Sequence, residues 1–368
     1  MWFYLVRNRL KANPVWQIDN RAERRSMSIT YRTFLLRLRK IAKIALREYG
    51  LEDIKLRFIN YSGNGLYQVT VPPARPVPPG KYTLRLHQTD YMKPKFIRSE
   101  MEWLSALHQE GIKVPMPVRN LDGEWLTMAD GGYGVPQRRY CTLIGWTEGR
   151  LLNKNIRPKH FKALGKVMGK MHTQSKGWRP PKGFARPHWD WEGLYGDGFS
   201  YGAPASDARE AIPEAHQDIF NDVLNRVKEA GEQLGKSKSV YGLIHADLGV
   251  TDNVAFQAGE ARPFDFDDCG FGYWVFDFGV ALGHYFIDTN DASKTMQDAL
   301  ISGYEETADI VNIGIEYLGL FKAARIAQLM FFYQASALAH PERQERAKAE
   351  INLHAKCLRR ALKTMDKG

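Results

Sequence analysis

The residues best suited to chemistry lie in one short stretch of this 368-residue chain. His245 and Asp247 follow a short apolar run, and Asn253 comes six positions after the aspartate. Asp265 ends a second apolar segment. Acidic groups next to buried strands are costly unless they meet a metal, a basic partner or water. A carboxylate that orients a hydroxyl, together with oxygen ligands for Mg²⁺, is the set of groups that phosphoryl transfer from a nucleotide needs.

A β-hairpin is predicted to position these groups. Short apolar runs predict a strand over residues 242–246 and two more within 254–266, separated by the turn Ala258-Gly259-Glu260. Because a hairpin holds its arms side by side, it would bring the acids after one arm close to those after the other. Asp267, which follows the second arm, is compatible with a second metal contact and equally with a solvent-facing acid.

The remaining chain divides into a β-rich first half and a helical second half. Strands are expected over residues 54–61, 66–71, 82–87, 125–128 and 139–144, with helices over 31–49 and 94–109. After Gly149, sustained helical periodicity predicts helices over 161–172, 212–234, 292–307, 317–337 and 343–364. This order predicts an α+β protein with a small antiparallel sheet followed by a large, mainly helical part.

Composition limits the classes of protein that fit. The chain is long enough for two lobes, and its 44% hydrophobic and 25% charged residues are typical of folded proteins. Three scattered cysteines argue against a disulfide framework, so we expect a reducing, cytoplasmic location. The sequence contains no run of eighteen apolar residues, so no membrane span is predicted. The net charge of +11 fits a phosphorylated ligand, an anionic surface or a solvated basic surface, and nucleic acid is not the expected partner.

The motifs, taken in order, resemble the aminoglycoside phosphotransferase and choline kinase family, a branch of the protein-kinase-like fold. The second half contributes His245-x-Asp247 with Asn253, then Asp265-Phe266-Asp267-Asp268, then Tyr273-Trp274-Val275-Phe276-Asp277. The first half contributes Leu84-Arg85-Leu86-His87 and Val114-Pro115-Met116-Pro117. The resemblance implies a bilobal fold, with a nucleotide-binding N-lobe over residues 27–145 and a C-lobe over 146–368 that carries the catalytic loop and acceptor site. Residues 1–26, which are basic and without clear periodicity, are expected to form an extension outside that fold.

The resemblance also implies roles for the acids. Asp247 would be the catalytic residue that accepts or orients the substrate hydroxyl, and Asp265 the main Mg²⁺ ligand. The family places its asparagine five positions after the aspartate, where this chain has Asp252. We favour Asn253 as the metal ligand, with one inserted loop residue and Asp252 pointing to solvent. The alternative gives the metal position to Asp252.

The first half is expected to hold the nucleotide. Arg85 occupies the position where the family usually has lysine, and Glu100 is its expected partner, with Glu102 as the second choice. An ordinary surface ion pair is the alternative. The turn Ser62-Gly63-Asn64-Gly65 would cover the phosphates with its backbone N–H groups, although a glycine-containing turn alone is weak evidence.

Other polar residues of the motifs are expected to be structural. His245 would brace the catalytic loop, Asp277 would bond backbone near it, and His172 would be a buried, satisfied histidine. Asp190, flanked by two tryptophans, either contacts a cationic or polyol substrate or belongs to a packed segment.

These residues predict an ATP- and Mg²⁺-dependent kinase that transfers the γ-phosphate to a hydroxyl of a small molecule, as in aminoglycoside, choline or homoserine kinases. A protein hydroxyl as acceptor is one alternative. A kinase-like protein with weak catalysis and a binding or regulatory role is another. Asp247 and Asp265 favour the enzyme, whereas the shifted Asn253 and the Arg85 substitution favour the binding protein. The sequence determines neither the acceptor nor the oligomeric state.

Overall fold

The computed structural model describes residues 30–89, 91–130, 138–283, 291–309 and 313–365. The chain forms two compact units. Among the described residues, the first unit takes in those up to Glu148 together with Pro180–Arg186. The second takes in Gly149–Arg179 and the described residues from Pro187 onward. The predicted extension over residues 1–26 lies outside the described residues.

The first unit is built on an antiparallel sheet. Its strands are β1 (Leu56–Ser62), β2 (Asn64–Val71), β3 (Gly80–Leu86), β4 (Pro117–Val118), β5 (Thr127–Ala129) and β6 (Arg139–Gly145). They lie in the order β1-β2-β3-β6-β4, with β5 also paired to β6, and every pair is antiparallel. The predicted strands are therefore present, and the sheet contains one more short strand, β4.

Two helices accompany this sheet, α1 (Tyr31–Arg47) and α2 (Pro94–Gln109). Helix α1 begins after Thr30, whose side-chain oxygen accepts a hydrogen bond from the Thr33 backbone N–H. Its apolar positions recur at helical spacing, so they share one face. Leu38 and Ile41 on that face are fully buried in one cluster with Leu84 of the sheet. Of the two basic residues between them, Lys40 is exposed, whereas Arg39 is half-buried and donates to the Leu56 carbonyl of β1 at 3.0 Å.

The second unit is mainly helical. Its helices are α3 (Pro158–Gly177), α4 (Trp191–Tyr195), α5 (Ala205–Glu210), α6 (Glu214–Leu234), α7 (Trp274–Gly283), α8 (Asp291–Glu305), α9 (Leu318–Ala339) and α10 (Gln344–Met365). Two small sheets are embedded among them. One contains β7 (His188–Trp189), β8 (Tyr241–Ile244) and β11 (Gly270–Tyr273), and the other is the hairpin of β9 (Val254–Gln257) and β10 (Glu260–Pro263). The α+β class and the predicted hairpin are confirmed. None of the described helices is both long and apolar enough to cross a membrane.

The sequence did not predict helix α7. All ten of its residues are buried, so it has no polar face to produce a helical period. Strands β7 and β11 were also missed, because each is short and is defined by its pairing with a distant segment. These elements lie immediately around the acidic stretch, and α7 carries Asp277.

Helices α3 and α8 approach each other through glycines. A Cβ atom added at Gly165 would lie 2.0 Å from the Leu300 carbonyl oxygen, and one added at Gly303 would lie 1.9 Å from the Lys162 carbonyl oxygen. Real Cβ atoms do not come this close to backbone atoms, so the two helices can keep this distance only while both positions lack a side chain.

We therefore expect Gly303→Ala to lower the free energy of unfolding by about 2 kcal/mol, because the added methyl forces two helix backbones apart. Denaturant unfolding followed by circular dichroism measures this change. Gly177→Ala is the matched control, since no atom lies within 4 Å of its Cβ position. Equal stability of the two variants would contradict the proposed tight contact.

Candidate active site

The backbone is strained in the loop between β8 and β9 and again just after β10. Ala246, Asn253 and Asp265 all have left-handed φ angles, of 64°, 61° and 62°. This region costs an alanine about 1–2 kcal/mol, whereas asparagine and aspartate enter it more readily. Strain of this kind persists only where surrounding bonds hold it, and it clusters at functional sites.

Asp277 of helix α7 holds the start of this loop. Its Oδ2 accepts a hydrogen bond from the His245 backbone N–H at 3.0 Å, and its Oδ1 accepts one from the Ala246 N–H at 2.7 Å. Its Oδ2 also lies 3.1 Å from Nε2 of His172, whose Nδ1 lies 3.1 Å from the Tyr304 hydroxyl. The structural roles predicted for Asp277 and His172 are confirmed. The left-handed Ala246 is fixed by this carboxylate.

His245 connects the loop to the end of the hairpin. Its Nε2–H donates to the Phe264 carbonyl at 3.1 Å, and its ring lies 4.4 Å from the ring of Phe266. Complete burial lowers the pKa of His245, although the nearby carboxylates of Asp277 and Asp247 oppose that shift. A neutral imidazole that donates to a carbonyl braces the loop, as the sequence predicted.

The structure bonds Asn253 to Asp247 and ties Asn253 to the residue before Asp265. Nδ2 of Asn253 donates to the Asp247 backbone oxygen at 2.9 Å and to its carboxylate Oδ2 at 2.8 Å. The Phe264 N–H donates to the Asn253 carbonyl at 2.8 Å, which anchors the residue directly before Asp265. Asp247 and Asn253 are both buried. These bonds join both ends of the hairpin to the loop between β8 and β9.

Asp252 does not point to solvent, and that expectation is wrong. Its exposed fraction is 5%, and the Thr251 hydroxyl donates to its Oδ2 at 3.1 Å. Gly249 and Asp252 exchange two backbone hydrogen bonds, of 2.9 and 3.0 Å, so residues 249–252 close a tight turn. In this turn, Asp252 is directed inward. Burial raises the pKa of Asp252 to about 6, and the neighbouring Asp247 carboxylate contributes to the rise.

Arg325 of helix α9 was not anticipated from the sequence. Its Nη2 donates to Oδ1 of Asp247 at 2.5 Å, and both side chains are buried. The available signal was a charged residue among the apolar residues of a helix, since Ala324 and Ile326 on either side are buried. The pairing itself joins residues 78 positions apart and leaves no local pattern.

The donor set is compatible with Mg²⁺. Asp265 offers a carboxylate, and Asn253 offers an amide oxygen, because its nitrogen is directed to Asp247. Mg²⁺ prefers such oxygen ligands and usually keeps several waters or phosphate oxygens beside one or two protein groups. Within the described ranges, no group of three or more His, Cys, Asp or Glu residues could hold a metal ion by itself. A divalent ion here would therefore need oxygens from a nucleotide or water.

In the first unit, Arg85 forms the expected ion pair. Its Nη2 contacts Oε1 of Glu100, and the side chains are only 3% and 1% exposed. The predicted partner Glu100 is confirmed over Glu102, and the alternative of a surface pair is wrong. Strand β3 supplies the arginine and helix α2 supplies the glutamate.

The turn predicted to cover phosphates joins β1 to β2. Gly63 has φ of 91°, and Ser62 pairs with Asn64 across the turn. Oδ1 of Asn64 accepts a hydrogen bond from the Gln88 N–H at 2.8 Å. Gly65, the last residue of the predicted turn, pairs with Leu86 of β3. The turn is therefore held against the end of strand β3 in the same unit.

The segment around Asp190 is used for packing. Oδ1 of Asp190 accepts a hydrogen bond from the Gly193 N–H at 3.0 Å and so caps helix α4, while its Oδ2 pairs with Lys236 at 2.7 Å. The indole N–H of Trp189 donates to the Asp268 carbonyl, and that of Trp191 donates to the Leu224 carbonyl. The sequence analysis offered a substrate contact or a packed segment for Asp190, and these contacts are those of a packed segment.

Comparison with known proteins identifies the family. The family model described as "Phosphotransferase enzyme family" matches residues 64–310, so the chain belongs to that family. Among curated proteins, it is 28% identical over 245 residues to the amicoumacin kinase of Bacillus subtilis (strain 168). This alignment covers 66% of each chain. It is 25% identical over 253 residues to the homoserine kinase of Agrobacterium fabrum (strain C58), which covers 68% of this chain and 70% of the relative. The chain thus spans about two thirds of the length of these relatives.

A solved structure confirms the fold class. The microcompartment-associated aminopropanol kinase is 26% identical, with a TM-score of 0.72 over 88% of this chain and 97% of that one. The α+β protein-kinase-like fold predicted from the motifs is therefore correct.

The buried Asp252 leads to a pH-dependent prediction. Its folded pKa of about 6 exceeds the ordinary value of 3.8, so the folded state holds a proton that the unfolded chain releases. Asp252 therefore lowers stability as the pH rises from 4 to 6, and the full penalty is present above that window. We expect Asp252→Asn to be more stable than wild type by about 3 kcal/mol at pH 8, and nearly equal at pH 4.

Urea unfolding at both pH values measures this difference. Asp298→Asn, an exposed residue paired with Lys294 on helix α8, is the control and should change stability little at either pH. An equal gain for Asp252→Asn at pH 4 and pH 8 would show that ionisation of Asp252 is not its cause.

Proposed function

We propose that this protein is an ATP- and Mg²⁺-dependent phosphotransferase that moves the γ-phosphate to a hydroxyl group of a small molecule. One observation supports the proposal best. The buried Asp247 carboxylate is hydrogen-bonded by Asn253, whose carbonyl is bonded in turn to the residue before Asp265. A carboxylate and two oxygen donors joined in this way match the needs of phosphoryl transfer.

In the proposed mechanism, Asp247 orients the acceptor hydroxyl. The hydroxyl oxygen forms a bond to the γ-phosphorus, the bond from that phosphorus to the bridging oxygen of the β-phosphate breaks, and the hydroxyl proton passes to the Asp247 carboxylate. Asp265 and the amide oxygen of Asn253 would hold Mg²⁺, which would neutralise the charge on the phosphates. Asn253 thus serves both groups, with its nitrogen on Asp247 and its oxygen on the metal.

In the first unit, we propose that Arg85 contacts nucleotide phosphate. Its guanidinium carries a permanent charge and five donors in a planar fork, a geometry that suits contact with phosphate oxygens. The Ser62-Gly63-Asn64-Gly65 turn would add backbone N–H groups. Glu100 fixes the orientation of the arginine, as the family's glutamate does for its lysine.

The two departures from the family pattern are accommodated without loss of the acids. Arg85 keeps an acidic partner, and the additional loop residue is taken up by the turn at residues 249–252. Neither departure displaces Asp247 from Asn253. This argues for an enzyme over a catalytically weak binding protein, and it leaves the register with Asn253 as the proposed metal ligand.

The relatives suggest acceptors to test first. They are kinases of amicoumacin, homoserine and aminopropanol, and the last two are small molecules that carry one hydroxyl and one amino group. We propose a small amino alcohol or hydroxy amino acid as the acceptor. If no small molecule accepted phosphate but a protein substrate did, the acceptor would be a protein hydroxyl instead.

The metal role of Asp265 gives the first test of this function. Wild-type protein should melt at a higher temperature with Mg²⁺-ATP, because a ligand at 100 times its Kd stabilises the folded state by about 2.7 kcal/mol. Asp265→Ala should lose this shift, since the metal would lose its main protein ligand. Asp298→Ala, which removes an exposed acid, should keep it. Absence of any shift in wild type at millimolar Mg²⁺-ATP would argue strongly against the proposed function.

Turnover gives the second test. With the best acceptor from a panel containing homoserine and aminopropanol, Asp247→Asn should lower kcat by about 10²–10⁴-fold, the typical contribution of a positioned acid–base group. The thermal shift with Mg²⁺-ATP should change little, because Asp247 acts on the acceptor. A variant as active as wild type would remove Asp247 from the mechanism.

A further inference from the structure

Asp247 is paired with a buried arginine from a distant helix. Nη2 of Arg325 lies 2.5 Å from Oδ1 of Asp247, and the two side chains are 6% and 8% exposed. Both residues belong to the second unit. The contact is short and charge-assisted, which places it among the stronger classes of hydrogen bond.

The arginine is itself held in place by polar contacts. Its Nη1 donates to Oε1 of Gln328 at 2.7 Å, and Nε2 of Gln328 donates to the Tyr201 hydroxyl at 3.0 Å. That hydroxyl donates to the Gly193 carbonyl at 3.3 Å in helix α4. The guanidinium therefore lies at the end of a hydrogen-bonded chain anchored in backbone.

Together, Arg325 and Asn253 fix the orientation of the Asp247 carboxylate. Oδ1 accepts from Arg325, and Oδ2 accepts from Asn253, so the two oxygens are held by different groups. Rotation of the carboxylate would break both bonds. Each carboxylate oxygen has two lone pairs, so a hydroxyl can be accepted while these bonds remain.

We propose that Arg325 is a positioning residue for the phosphotransfer reaction and that it acts through Asp247. This inference rests on the proposed function, in which Asp247 orients the acceptor hydroxyl. Arg325 holds the carboxylate at the angle needed for that contact and balances its charge in a buried site. A guanidinium suits this task better than an ammonium, because its fork contacts Asp247 and Gln328 at the same time.

A purely structural role is the competing explanation. A buried ion pair is weak evidence for stability, because the cost of desolvating both charges can exceed their attraction. The two roles differ in kinetics. A structural residue affects the whole fold, including nucleotide binding, whereas a positioning residue affects kcat and leaves the KM for ATP unchanged.

The test compares Arg325→Met and Arg325→Lys with wild type, using the acceptor that the panel identifies. A small displacement of a catalytic group can cost about 100-fold, so Arg325→Met should lower kcat by about that factor with an unchanged KM for ATP. Arg325→Lys should recover part of the lost kcat, because it restores the charge. Arg343→Met is the matched control. Its guanidinium donates to the hydroxyl of Ser336 on helix α9, the helix that carries Arg325. Loss of this contact should leave kcat unchanged.

The double variant Asp247→Asn, Arg325→Met provides the sharper readout. If Arg325 acts through Asp247, its removal should cost little more once the carboxylate is gone. A full additional 100-fold loss in that background would overturn the proposal. An active wild type with full kcat in Arg325→Met would also overturn it and would leave the proposed function intact.

A second variant guards against failure of Arg325→Met to fold. Gln328→Leu keeps both charges and removes the bonds from Gln328 to Arg325 and to Tyr201, so a several-fold drop in kcat at unchanged KM for ATP is expected. Unchanged kcat in Gln328→Leu would overturn the positioning chain. A wild type that transfers phosphate to no acceptor would overturn the proposed function, and the role of Arg325 with it.

Discussion

The site depends first on the carboxylate of Asp277. It accepts hydrogen bonds from two successive backbone N–H groups, at His245 and Ala246, at the point where the chain leaves strand β8. Those bonds stabilise a left-handed alanine that would otherwise be unfavourable. The turn in the backbone at Ala246 sets the direction in which Asp247 leaves the strand, so a residue in a buried helix determines where the Asp247 carboxylate lies.

From this point, main-chain bonds carry the arrangement across the hairpin. His245 reaches the Phe264 carbonyl, and the Phe264 N–H reaches the Asn253 carbonyl. Each of these contacts uses backbone on at least one side, so side-chain entropy costs little in keeping them. Electrostatic catalysis requires groups that are oriented before the substrate arrives. In this protein the folding of two short loops provides that orientation, and Arg325 adds a buried positive charge.

Sequence reasoning succeeded where one face of an element meets water or where residue types are tied to close spacing. Helix α1 was predicted because its apolar residues recur at helical spacing with polar residues between them. Asp247, Asn253 and Asp265 could be proposed as site residues because they lie close together in the sequence. Prediction from the sequence failed where the deciding contact joins residues far apart in the chain, or where an element is buried on every side. Helix α7 is buried on all sides, Arg325 meets Asp247 across 78 positions, and Asp252 turns inward only because residues 249–252 close on themselves.

The left-handed backbone at Asn253 and Asp265 affects what the same residue types would indicate in sequences that descend from this one. Asparagine and aspartate are the side-chain-bearing residues that enter this conformation most readily, and they are also the ones that supply oxygen ligands. Selection for folding alone would therefore retain them in a lineage that had abandoned catalysis. Asp247 is not among the described residues with a left-handed φ, so no such backbone demand protects it. In the proposed mechanism, a substitution at Asp247 would remove activity while the fold is kept.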